Sequence, residues 1–83
     1  MKRRRVDLNF AKIVLAELER YGPLGRTQLE KRALIKDGSR ATRARFDGIL
    51  QFLKEHGYVE KASAERRAPY RITGKGRRFL EAL

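Results

Sequence analysis

Residues 39–59, SRATRARFDGILQFLKEHGYV, constrain the chain more than any other stretch. Phe46, Ile49, Leu50 and Leu53 recur at i, i+3, i+4 and i+7, the apolar stripe of an amphipathic helix. Arg40, Arg43 and Arg45 fall in its first two turns, and no acid appears before Asp47. Ser39 is placed to cap the start. Gly57 is placed to close the end as the residue just beyond the last turn, with His56 in that turn against the negative helix end. The spacing therefore predicts a helix over 39–56. Its body is anchored by a core, and its basic N-terminal half is turned toward whatever polyanion the chain meets.

The rest of the chain says how large that core is and what the polyanion is. Eighty-three residues make one domain with a modest core, and dimerisation would help such a core. A hydrophobic fraction of 41% with several amphipathic segments argues against disorder. Cysteine is absent, which excludes a disulfide framework, thiolate metal sites and cysteine nucleophiles. A reducing cytosol is the expected compartment, in keeping with a cytoplasmic, nucleoid-associated protein. The net charge is +11, from 21 Lys plus Arg against 10 Asp plus Glu. Arginine outnumbers lysine 14 to 7, and arginine suits bidentate contact with phosphates and guanine edges. Double-stranded nucleic acid is the expected partner. An anionic membrane surface fits less well, because no segment joins a basic face to a broad exposed apolar one. Met1–Arg5 imitates the basic start of a signal peptide, but Asp7, Lys12, Glu17 and Glu19 interrupt any apolar run after it, and no membrane span is expected.

Taken in order, residues 1–7 form a basic arm and residues 8–83 a folded domain. Lys2, Arg3, Arg4 and Arg5 carry four consecutive positive charges, suited to phosphates. Asp7 is placed to cap a first helix over 8–20 that buries Phe10, Ala11, Val14, Leu15 and Leu18, with Ile13 and Tyr21 at its margin, in the core or at a dimer contact. Gly22-Pro23-Leu24-Gly25 breaks it, with Leu24 a candidate for a single strand-like bridge. Thr27 and Glu30 have capping-box spacing for a short second helix over 28–34, burying Leu29 and Ala33. After the basic helix, 58–61 and 69–73 read as paired strands around the polar tip 62–68, which holds Arg66 and Arg67; a tip this long is expected to be flexible. Thr73 is placed to cap a last helix with Phe79, Leu80 and Leu83 on its buried face. Gly74 and Gly76 flank Lys75 without Walker spacing, which excludes a nucleotide-binding loop.

At about 100° per residue, Arg40, Ala41, Ala44, Arg45, Gly48 and Gln51 fall on the outer half of helix 39–56. Arg40 and Arg45 are the candidates for base edges. Arg43 lies nearer the core side and suits a flanking phosphate, and Thr42 belongs to the same end of the helix. Small Ala41 and Ala44 let the backbone approach a groove. Gly48 costs about 1 kcal/mol relative to Ala in a helix interior, so a close approach to DNA or to another helix is the reason to expect it there. Phe52 falls outside the stripe and is expected to meet the strands or the last helix. Arg26, Lys36, Arg66 and Arg67 join Arg3, Arg4 and Arg5 as candidate phosphate contacts.

Helix, short helix, arginine-bearing helix, Gly57-Tyr58-Val59, hairpin, then Tyr70-Arg71-Ile72-Thr73-Gly74-Lys75-Gly76 with Phe79-Leu80 resembles the winged helix-turn-helix regulators. Small archaeal members share this ending, and PadR- and MarR-like proteins do so more distantly. The resemblance covers about residues 8–83. It implies an α+β, mainly α fold with a three-helix core, a two-stranded wing and a short C-terminal helix. It further implies that residues 39–48 enter a major groove while the wing reaches the flanking minor groove or backbone. Many archaeal relatives continue into a long C-terminal dimerisation helix where this sequence stops at Leu83, which puts a homodimer of that kind in doubt.

Four function classes follow. A double-stranded DNA-binding transcription regulator leads. An architectural, chromatin-like DNA binder without sequence choice is second. A protein-interaction or RNA-binding module on the same fold is third, and stacking of single-stranded RNA would want exposed aromatics that here fall mostly on core positions. An enzyme ranks last, since a single His and no nucleophile–base pair leave nothing to do chemistry. No cofactor, metal or small-molecule ligand is expected.

Overall fold

The computed structural model describes residues 7–37 and 42–83. Asp7 supplies the acceptor that the first helix lacks: its Oδ1 takes the Phe10 N–H at 3.0 Å and caps α1 (Leu8–Tyr21). The expected apolar stripe of α1 is the centre of the core, with Phe10, Ala11, Val14 and Leu15 fully buried. Ile13 packs at its edge, while Tyr21 is exposed. Gly22 ends the helix at φ +78°, a conformation that an L side chain resists.

Leu24 then makes the single bridge expected of it. Its N–H donates to Tyr70 O at 3.0 Å, and Tyr70 N–H donates back to Leu24 O at 2.8 Å. Helix α2 (Arg26–Asp37) follows and is longer at both ends than the spacing of Thr27 and Glu30 suggested. Leu29 N–H donates to Gly25 O, so the first turn is already wound at Thr27 and the capping box does not form. Glu30 instead turns outward to Arg43. Leu29 and Ala33 are fully buried, as the pattern required.

Helix α3 (Arg43–Glu55) starts three residues later than a cap at Ser39 would start it. Thr42 is the cap, its Oγ1 accepting from Arg45 N–H at 3.2 Å. Ser39, Arg40 and Ala41 lie outside the described residues. Phe46, Ile49, Leu50 and Leu53 are buried, and the Phe46 ring meets Phe10 edge to face at a centroid distance of 6.4 Å. The C-terminus closes as a Schellman turn: Tyr58 N–H donates to Leu53 O, Gly57 N–H to Lys54 O, and Gly57 has φ +75°.

Strands β1 (Val59–Lys61) and β2 (Tyr70–Ile72) pair antiparallel with Val59 opposite Ile72 and Lys61 opposite Tyr70. Helix α4 (Gly74–Ala82) is capped by Thr73, whose Oγ1 accepts from Gly76 N–H at 2.9 Å and donates to Gly57 O at 2.7 Å. Gly76 is where α4 touches the base of the hairpin. A Cβ there would fall on the Tyr58 carbonyl oxygen and lie 2.9 Å from Ile72 Cγ1. That contact is the physical reason for the glycine at position 76. Tyr58 and Phe79 stack at 4.2 Å with Phe52 beside them, so Phe52 does meet the last helix. Phe79 and Leu80 are only half-buried, and Leu83 is exposed, because the apolar side of α4 lies at the rim of the core and not within it. Among the described residues, four helices and a two-stranded antiparallel sheet make the mainly helical α+β winged helix-turn-helix. Among the described residues no helix is long and apolar enough to cross a membrane.

Candidate nucleic-acid interface

With Phe46, Ile49, Leu50 and Leu53 turned inward, the helical period sends Ala44, Gly48, Gln51 and Glu55 straight out. The first two form a bare ridge. A Cβ added at Gly48 would meet nothing within 4 Å, so no other helix among the described residues explains the glycine. Gln51 and Glu55 are tied to each other at 3.0 Å. The ridge thus presents backbone and small side chains at its N-terminal half and a neutralised polar pair further on.

Arginines stand on its two flanks, and each is held by an acid from another helix. On one side Arg43 Nε reaches Glu30 Oε2 of α2 at 3.2 Å, with the arginine side chain 78% exposed. On the other, Arg45 is ion-paired with Asp7 at the start of α1. Arg45 therefore sits at the edge of the outer half of the helix and not at its centre. It lies against the N-terminus of α1, at the lateral edge of α3. Such pairs between exposed groups add little to stability, and they bias where the side chains sit without locking them.

The wing supplies a second cationic element. Hydrogen bonds close its tip: Ala62 N–H to Pro69 O, Ala68 N–H to Glu65 O, and Lys61 Nζ to Arg66 O at 3.0 Å. Between this tip and the first turn of α2 lies a pocket of about 520 Å³, lined by Arg26, Thr27, Gln28, Lys61, Arg66 and Arg67. Arg26 also pairs with Asp47 of α3 and has its guanidinium 5.9 Å from the Phe46 ring. One side chain thus connects the pocket to the outer flank of α3. The first N–H groups of a helix and four cations around one concavity suit an oxyanion such as a backbone phosphate.

The fold brings Arg26, Arg66 and Arg67 together, although 40 residues separate them in sequence. Arg43 and Arg45 are placed on opposite flanks, with Thr42 capping the helix between them and Ala44 on the ridge. Lys36 is exposed in the last turn of α2, roughly 15 Å along the helix from Arg26, at the turn leading to α3 and away from the pocket. Arg3, Arg4, Arg5 and Arg40 lie outside the described residues. Lys61 and Gln28 join the pocket without having been singled out from sequence. Strand alternation from buried Val59 puts Lys61 on the same face of β1, and only the register with Tyr70 turns that position toward α2. Asp7, Glu30 and Asp47, the acids that hold the arginines, carried no sequence signal for that task.

No protein-family model matches the chain, and no curated protein matches it in sequence. Among solved structures, the chain is similar to SSV1 F-93, known from its crystal structure, with a TM-score of 0.71 and 23% sequence identity over 88% of this chain and 79% of that one. At that identity the likeness is one of fold, and it agrees with the winged-helix architecture built up from the residues above.

Proposed function

We propose that the chain binds double-stranded DNA, with the N-terminal half of α3 in the major groove and the wing on the neighbouring backbone or minor groove. The carrying observation is the continuity of the cationic surface. It runs from the flanks of the bare α3 ridge through Arg26 to the pocket that gathers Lys61, Arg66 and Arg67. A ridge of Ala44 and Gly48 admits close backbone approach, while arginines on either side reach base edges or phosphates. The run Lys2–Arg5 joins the chain just before Asp7, itself in contact with Arg45, and adds phosphate contacts. The work of the surface is binding and not catalysis, and its finer role is that of a transcription regulator in the manner of PadR- and MarR-like proteins.

A second reading, an architectural binder indifferent to sequence, is favoured by the same ridge, because Ala44 and Gly48 offer no polar side chain to a base. Binding of labelled duplex across a salt series tests the shared claim. Neutralising ~6–10 phosphates lowers affinity by ~10³–10⁵ between about 50 and 200 mM salt, and a flat profile overturns it. Competition by random duplex then separates the two roles: a preference of at least ~10³ for a selected site identifies the regulator.

A further inference from the structure

Asp7 uses its two carboxylate oxygens for two separate tasks. Oδ1 accepts from Phe10 N–H and caps α1, while Oδ2 holds the guanidinium of Arg45, 38 residues further along the chain. Arg45 is in turn fixed at its other end, since its backbone N–H donates to Thr42 Oγ1, the cap of α3. The residue is therefore held at the backbone by the start of one helix and at the side-chain tip by the start of another.

Resting on the reading of the chain as a DNA-binding protein, the geometry points to Asp7 as the positioning residue through which Arg45 reads a base. A long arginine at a helix flank has two anionic or acceptor-rich targets on a duplex. One is the nearest phosphate, which every sequence offers; the other is the O6 and N7 pair of a guanine, which only some positions offer. A guanidinium held by a carboxylate has less rotamer freedom before DNA arrives, and it swings less readily to the phosphate. A guanidinium is a planar fork of five N–H donors, so bonding a carboxylate and bonding a guanine edge are compatible in one arginine. The carboxylate also brings a negative charge to a surface that meets phosphates, which weakens binding to every duplex alike. Asp7 thus trades general affinity for discrimination, the logic by which specificity arises from suppressing the wrong complex.

Affinity and discrimination are therefore expected to move in opposite directions when the charge is removed. Asp7→Asn is the informative variant, because asparagine caps a helix as well as aspartate does and its melting temperature should match that of the parent chain. Asp7→Ser, a cap with neither the charge nor the reach, serves as the second variant. A duplex is first selected from a random pool by the unaltered chain. Binding to it and to its single-base variants is then measured for the unaltered chain, Asp7→Asn, Asp7→Ser, Arg45→Ala and the Asp7→Asn/Arg45→Ala double variant. The expected result is tighter binding of random duplex by both Asp7 variants, with discrimination at one G·C position lowered roughly 5- to 100-fold. In the Arg45→Ala background, Asp7→Asn should leave that position untouched, a coupling that a purely structural cap would not show. Discrimination that survives intact in both Asp7 variants overturns the proposal, as does duplex binding in which selection yields no preferred base. Failure of the unaltered chain to bind any duplex removes the DNA reading itself, and the role of Asp7 with it.

Discussion

The flanks of α3 and the tip of the wing carry the same chemistry in opposite states. Arg43 and Arg45 are each gripped by a carboxylate from a neighbouring helix, on a rigid element whose other face is the core. Arg66 and Arg67 are exposed on a hairpin tip and have no ion pair among the described residues. Net charge alone treats these arginines as equivalent. Their surroundings divide them: held side chains meet one geometry well, and loose ones meet any phosphate at some cost in rotamer entropy. A small basic domain can in this way separate the part of its surface that chooses from the part that adheres.

The most drastic way to break the comparison is to remove what makes α3 rigid. Phe46→Ala empties a fully buried site beneath the arginine flanks and should cost about 3–5 kcal/mol in chemical denaturation, much of the stability of a domain this small. Next in size is Arg45→Ala. It should weaken binding to a preferred duplex by about 1–3 kcal/mol, relax selectivity at one base pair and leave affinity for random duplex nearly unchanged, as read in parallel titrations. The wing should answer differently. Arg66→Ala and Arg67→Ala should lower affinity evenly across sequences, each reducing the slope of log affinity against log salt by about 0.9. If the wing variants relax a base preference while Arg45→Ala does not, the division is reversed. The smallest effect sharpens the picture most. Gly48→Ala fills open space in a helix interior, so thermal melting should show a gain of about 1 kcal/mol. DNA binding should weaken in the same protein if the ridge seats in the groove, and equal or better binding would place the ridge away from DNA.

Much of this fold can be read along the chain, because local chemistry and core pattern agree there. Asp7, Thr73 and Gly57 end or begin helices where side-chain capping and φ preference say they should, and the stripe on α1 is the stripe that is buried. Reading fails where two residues compete for one task. Ser39 and Thr42 both suit a cap, and Thr42 is the one that starts α3. Thr27 and Glu30 have the right spacing, but α2 begins earlier, and Glu30 has a better use as the partner of Arg43. The site itself is less legible than the fold. Which residues are basic is plain, yet the pairing of Asp7 with Arg45 across 38 positions depends on two helix starts meeting in space. The gathering of Arg26 with Arg66 and Arg67 likewise depends on how the hairpin is docked.

That docking rests on the reciprocal Leu24–Tyr70 pair, which is made of main-chain atoms alone. Proline at either position removes one of the two N–H donors, and any other residue keeps them both. The hairpin therefore has a fulcrum built from the main chain, set beside the first turn of α2 and not on α3. Beyond it, residues 62–68 can change in length or composition without shifting the origin from which they extend. On the proposed DNA-binding role, a lineage could retune how far this domain reaches along a duplex, or what it touches there, while the distance between fulcrum and α3 stays constant.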